Sequence, residues 1–326
     1  MATKLKMNLL PAQAHSIIGE YQTMVRILVA DSVADSAVAK MKDAGHDVVI
    51  RNSETDGPIE DQIKGFDCIV VRSATKVTKD VIDGADALKL VVRAGVGLDN
   101  VDLEAAKEKG VKVLNTPEAP TVSVAEMVIA LMFALSRRLP SADSSMKDER
   151  WEKKKLKGTE LWQKTVGIIG FGRIGCEVAR RARALEMEVL AFDVVDIDAA
   201  CVEYGAERAE KEDLLKRADY VTLHVPLLPE TRGLIGEKEL DMMKESASII
   251  NTARGGVIDE QALLRALDEN KIAGAGLDVF EKEPPVDWRL VKHPKVIATP
   301  HLSSSTSEAQ VRVGELTAEK VIAEFK

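Results

Sequence analysis

Cysteine is scarce in this chain. Cys68, Cys176 and Cys201 are the three present among 326 residues, and no Cys-x-x-Cys pair occurs. This argues against a disulfide framework or a cysteine-rich metal centre, so no metal site is expected, and it suits a reduced, cytoplasmic chain. Long apolar runs are missing too: the longest unbroken one, Met127 to Leu135, is far too short to cross a bilayer. Positive charge is not in excess either. With 45 Lys and Arg against 53 Asp and Glu, the formal net charge is −8, which offers no basic field to draw in nucleic acid. The basic run Lys153-Lys154-Lys155-Leu156-Lys157 reads as a local anion contact or, more commonly for such a run, a solvated face. Residues 1–23 hold scattered apolar residues without the continuous core of a secretory signal, and a mobile N-terminal extension is expected there.

What is present centres on Val166-Gly167-Ile168-Ile169-Gly170-Phe171-Gly172-Arg173-Ile174-Gly175. Val166 to Ile169 reads as a buried parallel strand, and Ile174 to Leu185, with apolar residues at helical spacing, as the helix that follows. Gly170 permits the tight turn, Gly172 keeps side chains off a pyrophosphate, and Gly175 lets the helix lie close on the strand. The amides at the helix start then face the anion. A second strand, Val189 to Phe192, ends in Asp193, 23 positions after the first glycine. A carboxylate there accepts from a ribose diol and repels a 2′-phosphate, so NAD rather than NADP is the expected cofactor. The glycines alone are weak, because ordinary turns contain them. Strand, glycines, helix, strand and terminal acid in order are strong together.

The length suits two domains. Strand and helix alternate from Met24 onward: strands at Arg26 to Ala30, Asp47 to Ile50, Cys68 to Val71, Leu90 to Val92 and Val111 to Leu114, with helical segments between. Such alternation implies a parallel sheet covered by helices, an α/β doubly wound arrangement. This half has no Gly-x-Gly-x-x-Gly and reads as the partner domain. After Pro117 and Pro120 comes a helix from about Val122 to Arg138, apolar around most of its circumference and therefore expected to be buried between domains or subunits. A charged connection, Pro140 to Gly158, leads into the central motif. Beyond Asp193, strands are expected at Tyr220 to Leu223, Ser248 to Ile250, Gly276 to Val279 and Val296 to Ala298.

Ligands of a doubly wound sheet collect at the carboxyl ends of its strands. His224, Arg254, Glu283 and His301 each follow a strand of the cofactor half. Arg254 can grip a substrate carboxylate in a planar fork and polarise the adjacent carbonyl. An imidazole suits the base that removes a hydroxyl proton during hydride loss, and Glu283 beside it would orient it. Taken singly, such residues are more often ion-pair partners, caps or loop charges; their joint placement favours catalysis. His224 can equally line the cofactor without exchanging protons. His15, His46 and His293 read as structural or solvent-facing.

From Met24 to the C-terminus the chain resembles the D-2-hydroxyacid dehydrogenases. The resemblance runs through Val71-Arg72-Ser73-Ala74-Thr75-Lys76-Val77-Thr78, Arg93-Ala94-Gly95-Val96-Gly97-Leu98-Asp99-Asn100, Met146-Lys147-Asp148-Glu149-Arg150-Trp151, Asn251-Thr252-Ala253-Arg254-Gly255-Gly256, Leu277-Asp278-Val279-Phe280 and Thr299-Pro300-His301. The Arg72 segment and the Met146 to Trp151 stretch point to the branch acting on D-3-phosphoglycerate. The resemblance implies a Rossmann cofactor domain, residues 120–299, inserted into a flavodoxin-like substrate domain, residues 24–119 and 300–326, and a homodimer through the helix after Pro120. It makes His301 the acid/base, Glu283 its partner and Arg254 the substrate-orienting residue. Gly170, Gly172, Arg173, Ile174, Gly175, Asp193, His224, Thr252, Ala253, Asp278, Ser303 and Ser304 would serve NAD, with Asp278 near the nicotinamide amide. The substrate carboxylate would rest on amides of Gly95, Val96 and Gly97, with Ser73 and Asn100 nearby. Arg72 would take the phosphate, and Lys147 is a further candidate from a dimer partner.

The chain departs from that pattern at Ala119-Pro120-Thr121, where a Gly-Asn-Ser type of turn is usual, and at Ser303, where glycine is common and a serine is expected to crowd the nicotinamide. It stops at Lys326, so feedback through an appended C-terminal domain is not expected. The implied activity is NAD-dependent oxidation of D-3-phosphoglycerate to 3-phosphohydroxypyruvate, the first step of serine biosynthesis. The alternatives are another hydroxyacid dehydrogenase, such as a glyoxylate or hydroxypyruvate reductase, and an NAD-responsive corepressor or binding module.

Overall fold

The computed structural model describes residues 24–52 and 55–326. The expected N-terminal extension, with His15, lies outside them. The chain opens with β1 (Arg26–Val29), α1 (Asp35–Asp43), β2 (Asp47–Ile50), α2 (Ile59–Gln62), β3 (Cys68–Val71), α3 (Lys79–Gly84), β4 (Leu90–Arg93), α4 (Leu103–Glu108) and β5 (Lys112–Asn115). These strands form one parallel sheet in the order β2-β1-β3-β4-β5. Cys68, Ile69, Val70 and Val71 are all buried, because helices cover both faces of β3 and an unbroken apolar run is what such a strand requires.

Next come α5 (Thr121–Arg137), α6 (Leu139–Lys147), β6 (Thr165–Ile169), α7 (Arg173–Ala184), β7 (Glu188–Phe192), α8 (Asp198–Tyr204), β8 (Glu207–Arg208), α9 (Lys211–Arg217) and β9 (Tyr220–Leu223). They are followed by α10 (Glu237–Met242), β10 (Ser248–Asn251), α11 (Glu260–Asp268), β11 (Gly274–Leu277), β12 (Val296–Ala298) and α12 (Ser307–Glu324). The second sheet is also parallel, in the order β12-β11-β10-β9-β6-β7-β8. Two doubly wound α/β domains of the expected class are therefore present.

Three expectations are adjusted. The Pro140 to Gly158 connection begins as helix, since Pro140 stands in the first turn of α6, where a missing N–H leaves no intrahelical bond unmade. Strand β11 starts at Gly274 rather than Gly276, which puts Asp278 directly past its carboxyl end. The long helix α5 buries Ala125, Val128, Leu131 and Met132 on the second sheet and α7, while Phe133 stays partly exposed.

After β12 the chain returns to the first sheet. Val313, Ala318 and Val321 of α12 share a core with Val25, Ile27, Ala37, Met41 and Leu90. Each Val, Ile, Leu or Met among them taken out of water contributes about 1.5–3 kcal/mol. His46, expected to be structural or solvent-facing, is buried edge-on to Phe325, with ring centroids 6.3 Å apart. Burial there holds its pKa below the ordinary histidine value. His293 is structural: its Nδ1 accepts from the Lys295 amide at 3.2 Å.

Candidate active site

The turn between β6 and α7 is shaped by backbone. Gly170 has φ +93°, and a Cβ on it would stand 2.6 Å from the His224 carbonyl oxygen. A Cβ on Gly175 would stand 2.3 Å from the Gly170 carbonyl oxygen, so α7 can lie this close to the turn only without a side chain there. Gly172, by contrast, faces open space at the helix start. Asp193 ties the turn to the end of β7, accepting from the Phe171 amide at 2.7 Å through Oδ2 and from the Val195 amide at 3.3 Å through Oδ1. An open anion-facing helix start with a carboxylate across from it fits a dinucleotide. Arg173 and Ile174 form the first turn of α7.

His224 follows β9 beside this turn. Its Nε2 lies 3.0 Å from Thr222 Oγ1, its Nδ1 is buried without a protein partner, and burial pulls its pKa down to about 3. A ring so held is neutral near pH 7 and exchanges no protons there. Past β10, the Asn251 side chain donates to the Arg254 carbonyl at 2.9 Å and accepts from the Ala253 amide at 3.0 Å, which staples the Thr252 to Arg254 turn. Thr252 is buried there, its hydroxyl without a protein partner.

The second cluster surrounds His301. Its Nδ1 lies 2.7 Å from Glu283 Oε2, and the other carboxylate oxygen of Glu283 accepts from the Phe280 amide at 3.0 Å. Both side chains remain part-exposed, at 47% and 37%. A cavity of about 350 Å³ opens beside the pair, walled by Phe280, Pro284, Pro285, Trp288 and Thr299. His301 sits at φ +51°, the left-handed region. Asp278 has no solvent exposure, and its carboxylate accepts from Thr299 Oγ1, the Leu302 and Ser303 amides and Ser303 Oγ. A carboxylate has about four acceptor positions. Those positions are engaged from within the loop, and the expected contact with a nicotinamide amide would be made beside them. The Ser303 hydroxyl points into Asp278 rather than into the space where it was expected to crowd a ring. Ser304 is exposed on the same loop.

A third cluster lies on the first sheet's side. Arg254 Nε donates to Asp99 Oδ2 at 3.1 Å, across from the loop after β4. A Cβ on Gly97 would lie 1.9 Å from one Arg254 nitrogen, and a Cβ on Gly95 1.7 Å from a nitrogen of Arg93. Two guanidinium groups thus lie directly on Gly95-Val96-Gly97. Burial lowers the pKa of Arg93, with the neighbouring positive charges of Arg254 and Arg72 adding to it. Arg93 Nε is buried without a protein partner. The sequence reading passed over Arg93, for an arginine ending a strand reads as a surface ion-pair former until the glycine loop is seen folded beneath it. Asp31 was missed too: its carboxylate accepts from the Arg72 amide at 2.6 Å and from the Thr75 amide and hydroxyl, fixing the segment that also carries Ser73.

Asn100 has a task within the chain. Its amide nitrogen donates to the Arg72 and Thr75 carbonyls, both at 2.6 Å, so it clips two loops together. Lys147 donates to Asp143 on its own helix at 2.6 Å and joins none of these clusters within the chain. Among the described residues no group of histidine, cysteine or acidic side chains could hold a metal ion.

Residues 129–303 match the model for the D-isomer specific 2-hydroxyacid dehydrogenase, NAD binding domain. A D-3-phosphoglycerate dehydrogenase of Methanocaldococcus jannaschii is 46% identical over 91% of this chain. The chain spans 57% of that relative's length. Among solved structures, a glyoxylate reductase from Paecilomyes thermophila superposes with a TM-score of 0.84 at 30% identity, covering 93% of this chain and 96% of that one. A D-lactate dehydrogenase from Aquifex aeolicus, complexed with NAD and lactic acid, gives 0.80 at 32% identity, covering 92% and 95%. A shared core, a matched cofactor domain and identity sustained across both sheets have one explanation: the chain belongs to the D-isomer specific 2-hydroxyacid dehydrogenases.

Proposed function

We propose that this protein oxidises D-3-phosphoglycerate at C2 with NAD, giving 3-phosphohydroxypyruvate, and runs the reverse reaction on the same residues. The observation that carries the reading is that the Arg254 and Arg93 guanidinium groups lie on one glycine loop, with the positive charges of Arg254 and Arg72 both acting on Arg93. A substrate with a carboxylate at one end and a phosphate at the other suits such a cluster, because guanidinium forks grip both groups. The 46% identity to a phosphoglycerate dehydrogenase supports the same branch.

In this mechanism Arg254 holds the carboxylate and polarises the C2 oxygen. Asp99 keeps its guanidinium aimed across the cleft until substrate arrives. Arg72 and Arg93 take the phosphate, and the Gly95 to Gly97 amides cradle the carboxylate. Glu283 holds His301 through Nδ1, leaving Nε2 to remove the C2 hydroxyl proton or return it. The Gly170 to Gly175 turn, Asp193, His224, Thr252 and Ala253 would hold NAD, which when bound supplies the hydride acceptor. Pro284, Pro285 and Trp288 give the cavity beside the pair an apolar wall. The reading includes a division into residues 24–119 with 300–326 for substrate and 120–299 for NAD. It also includes a cytoplasmic homodimer through α5 and α6, where Phe133 and Leu139 are exposed.

A second reading, an unphosphorylated hydroxyacid as substrate, draws on the likeness to glyoxylate reductase and D-lactate dehydrogenase structures. The two are separated by purified protein, NAD or NADH, and a panel of D-3-phosphoglycerate, D-lactate, glyoxylate and hydroxypyruvate, followed by absorbance of the reduced cofactor. The proposal expects kcat/KM for phosphoglycerate to lead D-lactate by at least tenfold. Parity, or a lead for the unphosphorylated acids, would sink it.

A further inference from the structure

A histidine in the left-handed region stays there only when its surroundings over-determine it. For His301 the constraints converge on one neighbour. The Asp278 carbonyl accepts from the His301 amide at 2.8 Å, and the Asp278 carboxylate takes the next two amides, Leu302 and Ser303, each at 2.9 Å. Thr299 Oγ1 binds the same carboxylate from the other side of His301. The loop from Thr299 to Ser303 is thus wrapped around a single buried carboxyl group.

A carboxylate with no solvent exposure is tolerated only when its lone pairs are filled. Amide donors exist whatever residue stands at 303. The fourth donor, Ser303 Oγ, is supplied by the side chain alone, and Ser303 itself is only 3% exposed. Its hydroxyl touches neither His301 nor Glu283.

We propose that Ser303 is a positioning residue: by completing the donor set on Asp278, its hydroxyl holds the 299–303 loop in the one conformation that aims the His301 imidazole, already tied to Glu283, at substrate. This rests on the acid/base role given to His301 above. It replaces the expectation that the side chain obstructs the cofactor with a role exerted through Asp278 and the loop backbone.

The test compares Ser303→Ala and Ser303→Gly, which remove the hydroxyl, with Ser303→Thr, which keeps it. Measured are kcat, KM, the NADH dissociation constant by fluorescence, and the solvent deuterium isotope effect on kcat. The two hydroxyl-free variants are expected to lose about tenfold in kcat, with KM and NADH affinity within twofold of the parent. Their isotope effect should rise, because proton transfer through a poorly aimed imidazole becomes the slower step. Ser303→Thr should recover most of the loss. Parent-like kcat in both hydroxyl-free variants would overturn the proposal, as would a loss that follows NADH affinity instead. Failure of both to fold would overturn it too, since the hydroxyl would then hold the domain rather than the loop. Should the substrate panel favour another 2-hydroxy acid, the same comparison runs on that acid, so losing the substrate reading leaves this test standing.

Discussion

The two sheets share a winding pattern yet treat their crevices in opposite ways. In each, strand order reverses beside the first strand, between β1 and β3 in one sheet and between β6 and β9 in the other, and such a reversal leaves a gap at the carboxyl ends. The first sheet fills its gap with its own side chain, since Asp31 reaches across from the end of β1 to the Arg72 and Thr75 amides. The second leaves its gap open: Gly172 faces empty space, and the buried Nδ1 of His224 has no protein partner. Topology provides a place for a ligand, and the residue after the first strand decides whether a ligand or the protein occupies it.

The sharpest way to break this contrast is to close the open crevice. Gly175→Ala puts a Cβ against the Gly170 carbonyl, a backbone atom that can yield only by moving the turn. The NADH dissociation constant is expected to rise at least 100-fold, equal to about 2.7 kcal/mol, while circular dichroism still reports an α/β fold. NADH affinity within threefold of the parent would mean the turn does not carry the dinucleotide.

Next in size is Gly97→Ala, which acts across the cleft from the other sheet. The new methyl meets the Arg254 guanidinium, a flexible group that can swing away, so the fold survives but the fork is lost. A fall in kcat/KM of about 100-fold is expected, on the order of 2.7 kcal/mol, with NADH binding unchanged. Loss of NADH affinity instead would place this loop with the cofactor. A smaller effect is expected from Arg72→Ala: KM for phosphoglycerate should rise about tenfold, with little change for an unphosphorylated hydroxyacid. Equal effects on both would remove the phosphate from Arg72.

Opening the closed crevice should cost stability rather than cofactor binding. Asp31→Ala strips the Arg72 and Thr75 amides and the Thr75 hydroxyl of their acceptor, and part-buried donors left unpaired cost about 1–3 kcal/mol. Urea unfolding should report that loss while NADH affinity holds. If the variant is as stable as the parent, water replaces the carboxylate and the first crevice is not truly sealed.

These contrasts were partly legible before any coordinates. Strands such as Cys68–Val71 and Tyr220–Leu223 announce themselves, because burial on both faces demands unbroken apolar runs. The start of strand β11 does not, for Gly274-Ala275-Gly276 is small where Leu131 of α5 lies against it: a Cβ on Gly276 would stand 3.2 Å from the Leu131 Cβ. Small residues chosen for a packing partner carry no strand signal. The same holds in the candidate site. His301, Glu283 and Arg254 are visible because each follows a strand of the cofactor half, a rule of position. Arg93, Asp31 and the Asp278–Ser303 contact are invisible, because each depends on which loop folds over which, and sequence spacing does not encode that.

A last and smaller effect separates the sheets by pH. His46 packs against the C-terminal end of α12 on the first sheet, and His224 lines the open crevice of the second; burial lowers the pKa of both, that of His224 to about 3. An unfolded histidine takes its proton near 6.5, whereas the folded His224 refuses one until about pH 3. The unfolded chain therefore binds more protons between those values, and stability falls as pH drops through that window, by up to about 1.4 kcal/mol per pH unit for one such group. Well above pH 7 neither ring contributes a slope. Urea unfolding at pH 7, 6 and 5 should show the decline, and His224→Gln, which cannot take the proton, should flatten it. Saturating NADH should leave the slope as it is, because the folded His224 ring is already unprotonated across that window and the slope comes from protons taken up by the unfolded chain. A slope that NADH removed would mean that the folded, cofactor-bound chain takes up the proton too, against the burial of these rings.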